Sequence, residues 1–222
     1  MPNTTTPSTP YHHGDLRAAC VRAARELLEE DGAGAGGLSL RAVARRAGVS
    51  PTAPYRHYTD REALVSAVAA EGYRELADCL AAAHPAPATQ EELSAVAVAY
   101  VRFALDHPGL FRLMFAEPCD PADPERTAAT AAVSAYVDGL VRGAFPSVAS
   151  EALSTAVWAL VHGLAFLHLD GKFDASDPDA VQSRVQAAVH ALFAAAAATA
   201  APATAGTATA GAATDGAATD GV

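Results

Sequence analysis

Apolar residues recur along this chain at steps of three and four, in one stretch after another, and no stretch alternates with a period of two for long enough to make a sheet. That regularity confines the chain to an all-α fold. Leu16, Cys20, Ala23, Leu27 and Leu28 form one stripe, which predicts a first helix over residues 14–31 that Gly32 stops. GAGAGG, residues 32–37, reads as a flexible connector. Ser39 is placed to cap a second helix, LRAVARRA, with Leu40, Val43, Ala44 and Ala47 inward, and Gly48 supplies a tight turn. Ser50 then caps a short third helix with Pro51 at its first position, where a missing N–H costs nothing. Pro54 removes at most one further intrahelical bond, and the helix ends near Tyr58.

Thr59 and Glu62 spell a T-x-x-E capping box opening a long fourth helix to about Ala83, with Leu64, Val68, Gly72, Leu76 and Leu80 near one face. HPAPAT, residues 84–89, breaks the chain, and Thr89 with Glu92 repeats the box before a helix ending at His107. A short apolar turn (110–115), a proline-bearing loop (117–125) and helices over 125–144, 148–170 and 178–198 follow. The division expected is a flexible arm (1–13), a first unit (14–60), a connecting helix (61–84), a second helical bundle (85–198) and a disordered Ala/Thr/Gly tail (199–222).

A formal charge of −10 speaks against a polyanionic partner until its distribution is read. Residues 1–80 hold nine arginines against ten carboxylates, whereas residues 81–222 hold six Lys and Arg against fifteen. Within 39–61 the balance reverses, with Arg41, Arg45, Arg46, Arg56 and Arg61 facing only Asp60. That is a local phosphate-facing surface on an acidic protein, although Arg45 and Arg46 could equally form a solvated face. Cys20, Cys79 and Cys119 lack C-x-x-C spacing and read as free thiols in a reducing compartment. No leader-like segment and no apolar run long and charge-free enough for a bilayer are evident, so a cytoplasmic protein without a membrane partner is expected.

Residues 39–64, SLRAVARRAGVSPTAPYRHYTDREAL, combine small residues where two short helices touch (Ala44, Ala47), a turn glycine (Gly48), an apolar plug (Val49), and polar, aromatic and cationic groups on the outward face of the second helix. The arrangement ends in Tyr55, His57, Tyr58 and Arg61, and over residues 11–80 it resembles the TetR family of repressors. The resemblance implies a three-helix helix-turn-helix unit whose recognition helix, Ser50 to His57, lies in a major groove of double-stranded operator DNA. It places Pro51 and Thr52 at base edges and Tyr55, Arg56 and His57 at bases or phosphates, with Ser39, Arg41 and Arg61 on phosphates. Pro51 leaves few donors for reading bases. Tyr58, on the inner side, is better read as a core residue.

In the second bundle, Trp158, His162, Ala165, Phe166 and Leu169 fall on one stripe, and WALVHG resembles a TetR subgroup with a Trp-x-x-x-His-Gly signature in its regulatory domain. With Tyr100, Phe103, Phe111, Met114 and Phe115, Trp158, His162 and Phe166 are expected to line an apolar small-molecule pocket. The other reading of each is ordinary core. Val181, Val185, Ala188 and Leu192 lie at seam spacing on the last helix, and the family resemblance implies that the last two helices form a homodimer interface.

These observations predict a homodimeric repressor, needing no cofactor, that a small-molecule inducer releases from its operator, with the long fourth helix as lever. A non-specific architectural DNA binder and a small helical enzyme using His162 are the alternatives. No nucleophile, carboxylate pair or metal-ligand spacing accompanies His162, so an enzyme is not expected.

Overall fold

Helices account for all the regular structure among the described residues of the computed structural model, which are 13–31, 37–84, 89–116, 123–146 and 151–200. They are α1 (His13–Asp31), α2 (Leu40–Arg46), α3 (Arg61–Ala83), α4 (Gln90–Asp106), α5 (Pro108–Ala116), α6 (Pro124–Ala144), α7 (Glu151–Leu169) and α8 (Pro178–Ala200), with a 3-10 turn at Pro54–Arg56. Residues 32–36 of the glycine connector, 85–88 of the HPAPAT break, 117–122 of the proline-bearing loop with Cys119, the tail from residue 201 and the arm up to residue 12 lie outside the described residues.

Caps explain most of the boundaries. The Ser39 hydroxyl accepts from the Ala42 N–H at 3.2 Å, satisfying one of the orphan donors that open α2. Thr89 and Glu92 close the reciprocal box at α4, at 3.2 and 2.9 Å. At α3 the structure corrects the sequence reading. The cap is Asp60, whose carboxylate accepts from the Ala63 N–H at 2.8 Å, while the Thr59 hydroxyl donates to Asp60. An ionised acceptor one residue further on outcompetes a hydroxyl at the positive end of a helix.

The third helix of the sequence reading is also corrected. Ala53, Arg56 and His57 donate to carbonyls three residues back, at Ser50, Ala53 and Pro54. Pro54 has no N–H to donate to the Ser50 carbonyl, which Ala53 takes instead, so the chain settles into turns and one 3-10 turn. The 110–115 stretch goes the other way and lies within a full helix, α5.

A single apolar core runs through both halves. α1 packs on α2 and α5, while α3 packs on α4, α5 and α6 and so belongs to the core of the second bundle as much as to the first unit. α7 corrects the membrane reading in one respect, since it is long and apolar enough by length and composition to cross a bilayer, with a third of that stretch buried within the chain. Cys20 is buried and Cys79 half-buried, both as free thiols.

Candidate functional site

The exposed face of the first unit is built on α2 and the Pro54–Arg56 turn. Gly48 joins them with φ +69°, a left-handed conformation that favours glycine. Tyr58 anchors the turn from beneath, 3% exposed, its hydroxyl donating to the Arg17 carbonyl at 3.2 Å. Burial pushes this phenol up to about 12. Because its folded-state value lies above the unfolded value near 10, the neutral phenol contributes stability at pH 9 that is lost as pH rises through about 12. Tyr58→Phe is therefore expected to lose roughly 2 kcal/mol less than wild type between pH 9 and 12 in urea titrations, and equal losses would contradict the buried phenol.

With Tyr58 held inward, Pro51, Thr52, Tyr55, Arg56 and His57 all face outward, Tyr55 being 52% exposed. Ser50 and Ser39 are exposed at the two caps, and the Ser50 and Thr52 hydroxyls are 3.4 Å apart. Arg41 and Arg45 are exposed beside them. The remaining two arginines are engaged elsewhere. Arg46 donates to Glu26 at 3.3 Å and to Glu30, bracing α2 against α1. Arg61 spends its Nε–H on the Leu38 carbonyl at 3.0 Å and lies 3.6 Å from Glu62. It straps the start of α3 to the segment before α2, and only part of its guanidinium faces solvent.

In the second bundle, His162 sits among Phe115, Phe166 and Phe111 at centroid distances of 4.5, 4.9 and 5.8 Å. Its Nδ1 is 3.1 Å from the Tyr100 hydroxyl, with the Trp158 indole close by. Burial drives the Tyr100 phenol well above its usual range, so it remains a donor. Trp158 and His162, one helical turn apart on α7, thus both lie beside one residue of α4. Burial holds His162 below its ordinary value of 6.5. The neutral imidazole contributes stability that is present above pH 6.5 and lost as pH falls through its folded-state value. A proton NMR titration of the His162 ring is expected to show a midpoint below 6.5, and a midpoint above that value would contradict the burial.

Two expected pocket residues lie elsewhere. Phe103 faces His107 at 4.9 Å, beside a groove bordered by α3 and α8, and Met114 is 1% exposed with its sulfur against Gly72. The spacing identified an apolar face of each helix, but not which neighbour covers it. The same reason moves the dimer residues. Val181 and Val185 are 2% and 0% exposed on the face that continues through Val189 and Phe193 into the chain's own core. Ala188 and Leu192 are only half-buried.

The feature that the sequence did not disclose is α5 as a bridge. Its first N–H groups, Gly109 and Leu110, donate to the two oxygens of Glu29 on α1 at 3.1 and 3.2 Å. Gly109 sits so close to α1 that a Cβ there would lie 2.2 Å from the Leu28 carbonyl oxygen. On the other side, Arg112 donates to the Leu169 carbonyl at 2.9 Å and to Asp170 at 2.6 Å, with Phe111 and Phe115 against His162. The carbonyl of Met114 accepts from Tyr73 and Arg126. The one clue was a glycine in the first turn of an apolar helix.

Comparison with known proteins bears on both halves. Residues 21–68 match the family described as "Bacterial regulatory proteins, tetR family", and residues 93–192 match "Tetracyclin repressor-like, C-terminal domain". The chain is 34% identical over 126 residues to the HTH-type transcriptional regulator Rv1816 of Mycobacterium tuberculosis, covering 54% of this chain and 53% of that one. The chain thus spans about half the length of the first curated relatives it matches. A second regulator of that organism, Rv0681, is 28% identical over 74% of this chain and 75% of its own. Among solved structures, a protein of unknown function from Rhodococcus sp. RHA1 superposes with a TM-score of 0.70 and 34% identity, covering 85% of this chain and 98% of that one. A regulatory protein in the tetR family from Rhodococcus RHA1 superposes at 0.61 with 22% identity, covering 80% and 96%, a likeness of fold. The matched families and named relatives are transcriptional regulators, not enzymes.

Proposed function

The chain belongs to the TetR family of bacterial regulatory proteins, DNA-binding regulators of transcription, and from that premise we propose that it is a homodimeric repressor released from its operator by a small molecule. The observation that carries the DNA reading is the outward set Thr52, Tyr55, Arg56 and His57, flanked by Arg41 and Arg45, on a protein of net charge −10. Cations gathered on one small face suit phosphate contact and register, while the aromatic and polar groups beside them suit base edges. Ser39, Ser50 and Pro51 complete that surface, and Arg61 contributes by fixing the start of α3.

Two copies are needed to read a site of useful length. The exposed or half-exposed apolar positions Leu160, Leu167, Ala188 and Leu192 of α7 and α8 support a four-helix seam between copies. The Tyr100–His162 hydrogen bond beside Trp158, with Gly163 following His162, supports assignment to the Trp-His-Gly subgroup and a sensor centred on α7. A ligand that shifts Trp158 or His162 pushes on Phe115 and Phe111 of α5, and α5 transmits the shift to α1 through Glu29 and Gly109. The lever is then α5 together with the long α3, and the ligand acts through its unequal affinity for the two arrangements. Bound to chromosomal DNA, such a protein works in the cytoplasm.

Gel-shift titration with the intergenic DNA flanking its gene tests the reading. Binding at least ~1,000-fold tighter than to a shuffled duplex at the same salt is expected for a specific regulator. Equal affinity for both would instead indicate a non-specific architectural binder.

A further inference from the structure

Trp158 is half-buried and lines two kinds of space at once. On its inner side is a cavity of about 40 Å³ enclosed by α3, α4, α6, α7 and α8, and on its outer side are open surface grooves along α7. The inner cavity carries no charged side chain. Ala97, Val137, Leu140 and Phe193 are typical of its wall, and its only polar side-chain atoms are the Tyr100 hydroxyl and the Trp158 indole nitrogen. The Tyr100 hydroxyl is already engaged with His162.

From this geometry we infer that the inducer is an uncharged, largely aliphatic or aromatic molecule with at most one hydroxyl-like group, and that it enters by displacing Trp158. The inference rests on the sensor reading above and gives it a ligand class. A carboxylate or ammonium brought into this space would meet no counter-ion and lose its hydration, which disfavours it strongly. A neutral apolar body loses nothing comparable and gains contact with the aliphatic wall. The existing space holds little more than a small group, so a larger ligand must move a wall residue. Of the two wall residues with open space behind them, Val137 and Trp158, the half-buried Trp158 is the one whose displacement frees the larger volume. Moving it opens the cavity beside Tyr100, whose hydroxyl oxygen can then accept from a single polar group on the ligand. The aromatic cluster around His162, by contrast, is the relay and not the receptacle.

Trp158 is the sole tryptophan of the chain, so its emission reports the site directly. Matched titrations of the full chain with 1-octanol, octanoate and octylammonium at neutral pH test the ligand class. Octanol is expected to give a saturable change in emission and a raised melting temperature, with the two charged analogues at least ~10-fold weaker. Equal or tighter binding of either ion, or no saturable response to octanol, overturns the inference. Ala97→Leu fills the cavity and is expected to weaken the octanol response by ~10-fold or more; Val137→Leu, at a half-buried position, serves the same purpose if the first variant does not fold. An unchanged response in the folded variant places the alcohol elsewhere and overturns the inference. Adding the same compounds to a protein–duplex complex separates the two readings. Octanol that binds behind Trp158 without releasing DNA supports the cavity assignment and contradicts induction, whereas release by octanoate alone contradicts the cavity assignment and leaves induction standing.

Discussion

Gly109→Ala is expected to cost about 3 kcal/mol of stability and to lower the melting temperature by roughly 10 °C for a chain of this size. A methyl group at this position would sit 2.2 Å from the Leu28 carbonyl oxygen and 2.6 Å from its carbon, and both are backbone atoms that cannot swing aside. α5 must therefore back away from α1. That displacement stretches the two hydrogen bonds from Gly109 and Leu110 to Glu29, which cap the start of α5 with a carboxylate. Glu29→Gln keeps the close approach and removes only the charge, so its cost should be about 1 kcal/mol. If α5 is also the transmitter, Gly109→Ala protein that remains folded should bind DNA yet respond poorly to inducer. Thermal melts and inducer titrations on the two variants check both statements. A Gly109→Ala melt matching wild type would contradict the α1–α5 contact.

Removing Tyr55 and Arg56 together is expected to weaken DNA binding by ~100-fold or more, since each contact to a base edge or phosphate contributes about 1–3 kcal/mol. Both side chains are exposed and neither supports the core, so the melting temperature should hardly move. The salt dependence separates their roles. Loss of the Arg56 guanidinium should reduce the slope of log affinity against log salt by about one, and loss of the Tyr55 ring should leave it unchanged. Arg46→Ala provides the contrast, because its guanidinium is held by Glu26 and Glu30 of α1. Its removal should loosen the packing of α2 more than it alters the salt slope. Unchanged DNA affinity in the Tyr55→Ala, Arg56→Ala double variant would dissociate the exposed face from DNA.

How much of this was legible in the sequence depended on whether the deciding interaction was local. Ser39 over α2 and the Thr89–Glu92 box at α4 were readable because a cap involves atoms three residues apart. Thr59 misled by one position because Asp60 offers a stronger acceptor in the next place. Pro54 was read as removing at most one intrahelical bond, but the segment around it settles into turns and a 3-10 turn over Pro54–Arg56, which counting lost bonds one by one understates. The outward face followed from charge and turn chemistry, whereas the tie of Arg61 back to the Leu38 carbonyl is a contact across 23 residues of sequence.

Longer-range choices were not legible. The stripe of Val181 and Val185 was real, but periodicity gives a face and not its neighbour, and that neighbour is the chain's own core. Phe103 and Met114 were apolar as expected and are buried away from His162 for the same reason. Trp158, His162 and Tyr100 came together because an i to i+4 pair on one helix lies beside one residue of another. The docking of Gly109 on Leu28 joins residues some eighty positions apart and has no local signature beyond the glycine itself.

The central claim is that two copies of the Thr52–His57 face read one duplex together. Hydroxyl-radical footprinting of the full-length protein on its selected operator tests it most directly. The account predicts two protected patches related by an approximate palindrome, centred about one helical turn or a whole multiple of it apart on the same side of the duplex, both lost in the Tyr55→Ala, Arg56→Ala variant. A single patch, patches on opposite sides of the duplex, or protection that survives in that variant would contradict it.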